Sequence, residues 1–141
     1  MNLSLLQNFT EKSFFLKPFP HVIIKNALPK ELYTKLADTF PNSKFISQEN
    51  NIKLFLTPEM IKEDQEINLL WKNFIFFNKS ATFIHEIFDV FFEKILEHHP
   101  KFYKTKNDLY NLKIAENGEN DADFSPYIEI SCNTPVKKKS S

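Results

Sequence analysis

The sequence predicts an α+β fold in which helices pack on a small, mostly antiparallel sheet. Residues 81–97 repeat apolar side chains at helical spacing. Residues 127–133 instead alternate, so that Ile128, Ile130 and Cys132 lie on one side of an extended backbone. A strand with one apolar face needs neighbouring strands and a layer that covers it. We therefore expect its partners earlier in this chain or in another chain.

The composition is that of a single domain with a large apolar core. The chain has 141 residues and sixteen Phe, which is enough to fold without disulfides or metals. Cys132 is the only cysteine. A single cysteine excludes an internal disulfide and a cysteine-rich zinc site, and it is consistent with a reducing cytoplasm.

Charge and glycine content exclude several classes of function. Eighteen basic residues, all Lys, balance eighteen acidic ones, so no net field attracts nucleic acid or an anionic membrane. Gly118 is the only glycine, which excludes Walker and dinucleotide-binding loops. The longest apolar run, residues 74–77, is too short to span a bilayer, and the first residues lack the pattern of a signal peptide. The sequence predicts a cytoplasmic protein that binds neither nucleic acid nor membranes.

The first part of the chain predicts one strand and one helix. Residues 1–17 mix apolar and polar side chains and are expected to be irregular or partly helical. Two prolines then bar a helix, and residues 21–26 are short and β-branched, as is typical of a strand. A helix is predicted to begin at Leu28 and Pro29, to carry an apolar stripe, and to end at Phe40.

The middle of the chain predicts two further helices. A short strand is expected at residues 52–55. Thr57 is then suited to cap a helix whose apolar residues continue to Phe77. After a break, Ser80 is suited to cap the helix at residues 81–97, whose broad apolar face indicates the principal core helix.

The last part of the chain predicts a hairpin. Residues 109–115 alternate like a strand, and a polar loop follows at residues 117–123. Two strands joined by a loop of this kind form an antiparallel pair. The strand at residues 109–115 is therefore the expected partner of the terminal strand.

Two residues on the predicted core helix have the spacing of metal ligands. His85 and Asp89 lie four residues apart and share a face, as do the two His of a zinc-binding helix. Glu93 and Glu97 continue the same row, however, and such a row is typical of a solvated acidic face. The pattern therefore predicts neither a metal ligand nor a catalytic residue in this chain, and the alternative is a zinc hydrolase that uses His85 and Asp89.

Five segments resemble a known family in their order and spacing. They are residues 18–29 (PFPHVIIKNALP), the helix that ends at residues 40–41 (FP), and residues 71–75 (WKNFI), 80–83 (SATF) and 130–136 (ISCNTPV). Together they are similar to the prolyl-hydroxylase-like branch of the 2-oxoglutarate and iron(II)-dependent dioxygenases. The resemblance implies a domain at residues 18–136 that is the N-terminal part of a jelly-roll (double-stranded β-helix) fold, with a lead-in at residues 1–17 and a basic tail at residues 137–141.

The resemblance also implies which chemistry this chain lacks. In that family two His and one carboxylate hold Fe(II) and leave positions for 2-oxoglutarate and oxygen. The first two ligands form a His-x-Asp pair shortly after the segment like residues 130–136. None of the four His here belongs to a His-x-Asp or His-x-Glu pair. We therefore expect a truncated or split dioxygenase (hydroxylase) that by itself binds neither iron nor 2-oxoglutarate and is inactive.

Two side chains are the candidates for contact with 2-oxoglutarate in a complete barrel. Tyr127 and Asn133 lie on the side of the terminal strand opposite its apolar set. The alternative for both residues is plain packing or exposure to solvent. The expected partner of the chain is a C-terminal oxygenase fragment or a second copy. The alternative function is a free-standing α+β interaction module that uses an exposed strand edge.

Overall fold

Five helices and two small antiparallel sheets make up the part of the chain that the structure, a computed structural model, describes: residues 1–41, 53–116 and 119–133. The elements in chain order are a 3-10 turn at Glu11–Ser13, β1 at Phe14–Phe15, β2 at His21–Val22, α1 at Lys30–Asp38, β3 at Lys53–Leu56, α2 at Pro58–Glu63, α3 at Leu69–Phe77, α4 at Ala81–His98, α5 at Lys106–Tyr110 and β4 at Ile130–Asn133. These elements confirm the prediction that the chain combines helices with a small antiparallel sheet.

Two of the three predicted helix starts are confirmed by side-chain caps. Thr57 accepts a hydrogen bond from the amide of Met60 at the start of α2, and Ser80 accepts one from the amide of Phe83 at the start of α4. These bonds satisfy amides that have no partner within the helix. Helix α4 covers the predicted residues 81–97 and one residue more.

The apolar run that follows Thr57 forms two helices, where the sequence predicts one. Helix α2 ends at Glu63, and α3 begins after Asn68, whose side chain accepts from the amide of Leu70. The turn between them is fixed by Asp64, which accepts from the amide of Glu66 at 2.8 Å. Asp and Asn form such local bonds in competition with a continuous helix.

The strand predicted at residues 109–115 is wrong. Thr105 and Asp108 form a capping box, in which each side chain bonds to the other's backbone amide. This starts α5 (Lys106–Tyr110), so Leu109 lies in a helix, where it is 1% exposed. A capping box stabilises a helical turn locally, whatever alternation follows it.

The predicted partner of the terminal strand is wrong for the same reason. Strand β4 pairs antiparallel with β3, so that Leu56 lies opposite Ile130 and Lys53 opposite Asn133. The short strand predicted at residues 52–55 is confirmed over its described part. The strand predicted at residues 21–26 is shorter in the structure, where β2 covers only His21–Val22. It pairs antiparallel with β1, which belongs to the lead-in.

Two apolar clusters form the interior of the described chain. The first contains Leu56, Ile61, Ile67, Ile75 and Ile130, with Phe40, Trp71 and Ile128 packed against it. The second lies between α4 and α5 and contains Ile84, Phe88 and Leu109. The sheet β3–β4 therefore packs on α2 and α3, and α4 forms its own core with α5. No described helix is long and apolar enough to cross a membrane.

Candidate functional site

The sheet β3–β4 is the place to which the sequence assigns function. Leu56 and Ile130 face each other across the sheet and are 6% and 5% exposed. Ile128 packs against the same cluster from outside the strand. The prediction that Ile128 and Ile130 share an apolar side is therefore confirmed. The side chain of Cys132 lies outside the described set.

Trp71 connects this sheet to helices α1 and α3. Its indole Nε1 donates to the carbonyl oxygen of Leu36 at 2.9 Å, and its ring meets that of Phe40 edge-on at 5.5 Å between centroids. The carbonyl of Leu36 lies in the last turn of α1, where carbonyls lack partners within the helix, and Phe40 follows the end of α1 by two residues. The end of α1, the start of α3 and strand β4 thus share one core.

Of the two candidate cofactor-binding residues, one lies before β4 and the other is its last residue. Tyr127 precedes the strand by three residues, is 62% exposed, and donates to a carboxylate oxygen of Glu129 at 3.4 Å. Asn133 is the last residue of β4, and its side chain lies outside the described set. Contact of either residue with an oxoacid stays a prediction.

The described residues do not fit an iron site. No three His, Cys, Asp or Glu side chains among them come together in a way that could hold a metal ion. The facial arrangement that iron-dependent oxygenases use requires two His and one carboxylate around an open position.

His85 and Asp89 do not face a common open position. The Asp89 carboxylate accepts from the hydroxyl of Tyr110 and pairs with the ammonium of Lys106. The ring of His85 lies edge-on to Tyr110 at 4.5 Å, and its Nε2 is buried with no hydrogen-bond partner among the described residues. The carboxylate is therefore occupied and the imidazole nitrogen is enclosed, which is unsuited to a metal that exchanges with solvent.

Asp89 is nevertheless the most strongly connected carboxylate on α4. Burial raises the pKa of its carboxyl, but hydrogen bonds from Lys106 and Tyr110 and the positive charge of Lys106 outweigh burial and lower the pKa. The hydrogen bond of Lys106 to Asp89 raises the pKa of Lys106, and that of Tyr110 to Asp89 raises the pKa of Tyr110. The row predicted as a solvated acidic face is therefore partly covered by α5.

A buried lysine beside α3 was not predicted from the sequence. Lys79 is 5% exposed, in the short joint between α3 and α4. The sequence marks this joint only as a helix break. Its neighbour Asn78 is 3% exposed and holds the lead-in through bonds to the backbone of Leu3 and Leu5. That contact buries the joint, and neither periodicity nor capping signals could show it.

No family model, curated protein or solved structure matches this chain.

Proposed function

We propose that this chain is the N-terminal, non-catalytic portion of a prolyl-hydroxylase-like 2-oxoglutarate and iron(II)-dependent dioxygenase. The observation that supports the proposal is the meeting of three of the resembling segments in one core. Phe40, Trp71 and Ile130 come from three different segments, and all belong to the first apolar cluster. Segments of a single ancestral fold are expected to pack together, whereas chance matches to unrelated folds have no reason to do so.

The position of β4 gives this proposal a structural consequence. Only β3 pairs with β4 among the described residues, so one edge of each strand is open there. Edge strands of this kind pair readily with further strands. In a jelly-roll enzyme those strands would complete a barrel, and they would carry the His-x-Asp pair and the distal His that these 141 residues lack.

The decisive experiment is to sequence the DNA on both sides of the region that encodes these residues, and to assay the proteins that this DNA encodes. We expect an adjacent or continuing reading frame that encodes His-x-Asp and a distal His. Co-expression of that product with this chain should convert 2-oxoglutarate to succinate in the presence of Fe(II), and this chain alone should show no conversion above a blank.

The control replaces the His of the encoded His-x-Asp pair by Ala, which should abolish conversion because iron then loses a ligand. Either of two results would overturn the proposal. The first is an adjacent sequence without the three ligands, and the second is conversion of 2-oxoglutarate by the 141 residues alone.

A second candidate function is a free-standing interaction module that pairs with a second copy of itself. The same open edges of the β3–β4 sheet favour it, because identical antiparallel strands can pair across a two-fold axis. Tyr127 and Ser131 are exposed next to that edge. A dimer formed in this way needs no oxygenase fragment.

Light scattering at rising protein concentration tests this second candidate. We expect the mass to approach that of two chains, and Ser131→Lys to shift the protein to one chain because like charges then oppose each other at the edge. Thr34→Lys adds the same charge to the exposed face of α1 and should leave the mass unchanged. A single-chain mass at every concentration would exclude self-pairing.

A further inference from the structure

The side chain of Lys79 is buried along most of its length and forms no ion pair with a described residue. It is 5% exposed, and its ammonium lies 5.9 Å from the centroid of the Phe76 ring. No described carboxylate lies within ion-pair distance of it. Its ammonium nitrogen is not among the enclosed, unpartnered side-chain atoms of the described residues, so the stem of this lysine is buried while its charged end still reaches solvent. The ammonium is therefore accessible to an anion that enters from the solvent side.

Lys79 lines a small cavity that borders a larger cleft. The cavity has a volume of about 70 Å³ and is lined by Pro58, Glu59, Lys62, Phe76, Lys79 and Glu116. The cleft has a volume of about 400 Å³ and shares Lys62, Phe76 and Glu116 with it, adding Lys72. The volume of the cavity exceeds the roughly 30 Å³ share of one water molecule. The cleft itself has the size of a small-molecule pocket, and three of its lining residues also line the cavity at Lys79.

The charges around this cleft leave one positive charge in excess. Lys62, Lys72 and Lys79 line it together with Glu59 and Glu116. Hydrogen bonds from the backbone amide of Glu59 and from Thr57, with the positive charge of Lys79, lower the pKa of the Glu59 carboxyl. Glu59 is therefore ionised at neutral pH.

Two of the other charged groups already have hydrogen-bond partners. Glu116 accepts from the amide of Ala81 at the start of α4, and the ammonium of Lys72 donates to the carbonyl oxygen of Lys62 at 3.2 Å. The ammonium groups of Lys62 and Lys79 have no hydrogen-bond acceptor among the described residues. The excess charge is thus carried by groups that can still bind an anion.

We propose that this cleft binds a small carboxylate with an apolar body, whose carboxylate pairs with Lys79. A monoanion neutralises the excess charge, whereas a dianion or a polyanion would be opposed by Glu59 and Glu116. The apolar body would lie against Phe76 and Pro58. This assignment is independent of the dioxygenase proposal, because it uses only α2, α3, the α3–α4 joint and Glu116.

Titration of the purified chain with sodium benzoate tests the site. We expect saturable binding by calorimetry, a rise in Tm with benzoate concentration, and changes in the amide NMR signals of Phe76 and Ala81. Lys79→Met should weaken binding at least about tenfold, since a charge-assisted bond is lost. Without benzoate, the Tm of this variant should stay close to that of the parent, because Met retains the apolar contacts of the buried lysine stem.

Lys101→Met is the matched control, because Lys101 is exposed and does not line the cleft. It should bind benzoate like the parent. Three results would overturn the proposal: no saturable binding, equal binding by Lys79→Met and the parent, or tighter binding of inorganic phosphate than of benzoate. The last result would show that the site selects charge and not a carboxylate with an apolar body.

Discussion

At the scale of single residues, Asp89 shows how a surface carboxylate acquires a structural role. Its side chain is 47% exposed, yet it bonds to both Lys106 and Tyr110 on α5. Lys106 also lies over the rings of Phe92 and Tyr110, at 6.0 and 5.4 Å from their centroids. The carboxylate therefore ties α5 to α4 at the margin of the second apolar cluster, in addition to the apolar contacts of Leu109.

This contact predicts a dependence of stability on pH. Because its pKa is lowered in the folded state, Asp89 contributes stability above its ordinary pKa of 3.8 and loses that contribution as pH falls through the folded value. Asp89→Asn should reduce the free energy of unfolding by about 0.2–1 kcal/mol at pH 7, a small effect because the group is half exposed. The measurement is urea unfolding of both proteins from pH 7 to pH 2.

The difference between the two proteins should shrink in the acid part of that range. The reason is that a protonated Asp89 and an Asn carry the same charge, so the ion pair with Lys106 is absent from both. Glu93→Gln serves as the control, since Glu93 is exposed on the same helix and has no described partner. A difference that is constant from pH 7 to pH 2 would contradict the role assigned to the Asp89 carboxylate.

At the scale of elements, helix α4 depends on the joint that precedes it. Ser80 accepts from the amide of Phe83 at 3.3 Å and donates to the carbonyl oxygen of Phe77 at 2.7 Å. One side chain therefore serves both the end of α3 and the start of α4. The angle between these helices in turn positions the buried pair Asn78 and Lys79.

Replacing the cap at Ser80 should destabilise the protein measurably. Ser80→Ala is expected to lower the free energy of unfolding by about 0.5–2 kcal/mol, because two hydrogen bonds at the helix ends lose their partner. Thr82→Ala is the matched control: Thr82 is exposed in the first turn of α4, and Ala favours a helix, so stability should stay equal or rise slightly. Equal stability of both variants in urea would show that the cap is redundant.

Sequence patterns predicted the elements better than their pairing. Thr57 and Ser80 could be recognised as caps because capping depends on residues within one turn of the helix start. The identity of the partner of β4 could not be recognised, because it depends on which distant segment offers a complementary edge. Alternation at residues 109–115 was misleading, since the capping box at Thr105 makes part of that segment helical.

The candidate sites also differ in how far the local sequence could predict them. The apolar side of β4 followed from local alternation and was confirmed at Ile130. The burial of Lys79 depends on the packing of the lead-in and of α2 around the α3–α4 joint, which are brought together only by the tertiary fold. No local pattern distinguishes this lysine from the exposed ones, so the sequence alone gives no reason to assign it a ligand.

At the scale of the whole molecule, the two apolar clusters raise the question of whether the chain unfolds as one unit. The clusters have no buried residue in common. The lead-in connects them, however: Leu3 and Leu5 bond to Asn78, and Ser4, which is 1% exposed, bonds to Glu86 on α4. A buried serine bonded to a carboxylate is costly to separate. These bonds should couple the clusters in a chain of this length.

The only Trp in the sequence makes this coupling measurable. Trp71 lies at the first cluster, so its fluorescence reports on that cluster, whereas far-UV circular dichroism reports on all five described helices, of which α4, the longest, lies in the second cluster. We expect the two probes to give one common urea midpoint. Leu109→Ala, which opens a cavity in the second cluster, should cost about 2–5 kcal/mol and should move the Trp71 transition as far as the circular dichroism transition. A Trp71 midpoint that stays at its parent value, while a part of the circular dichroism is lost at lower urea, would show that the lead-in does not couple the two clusters.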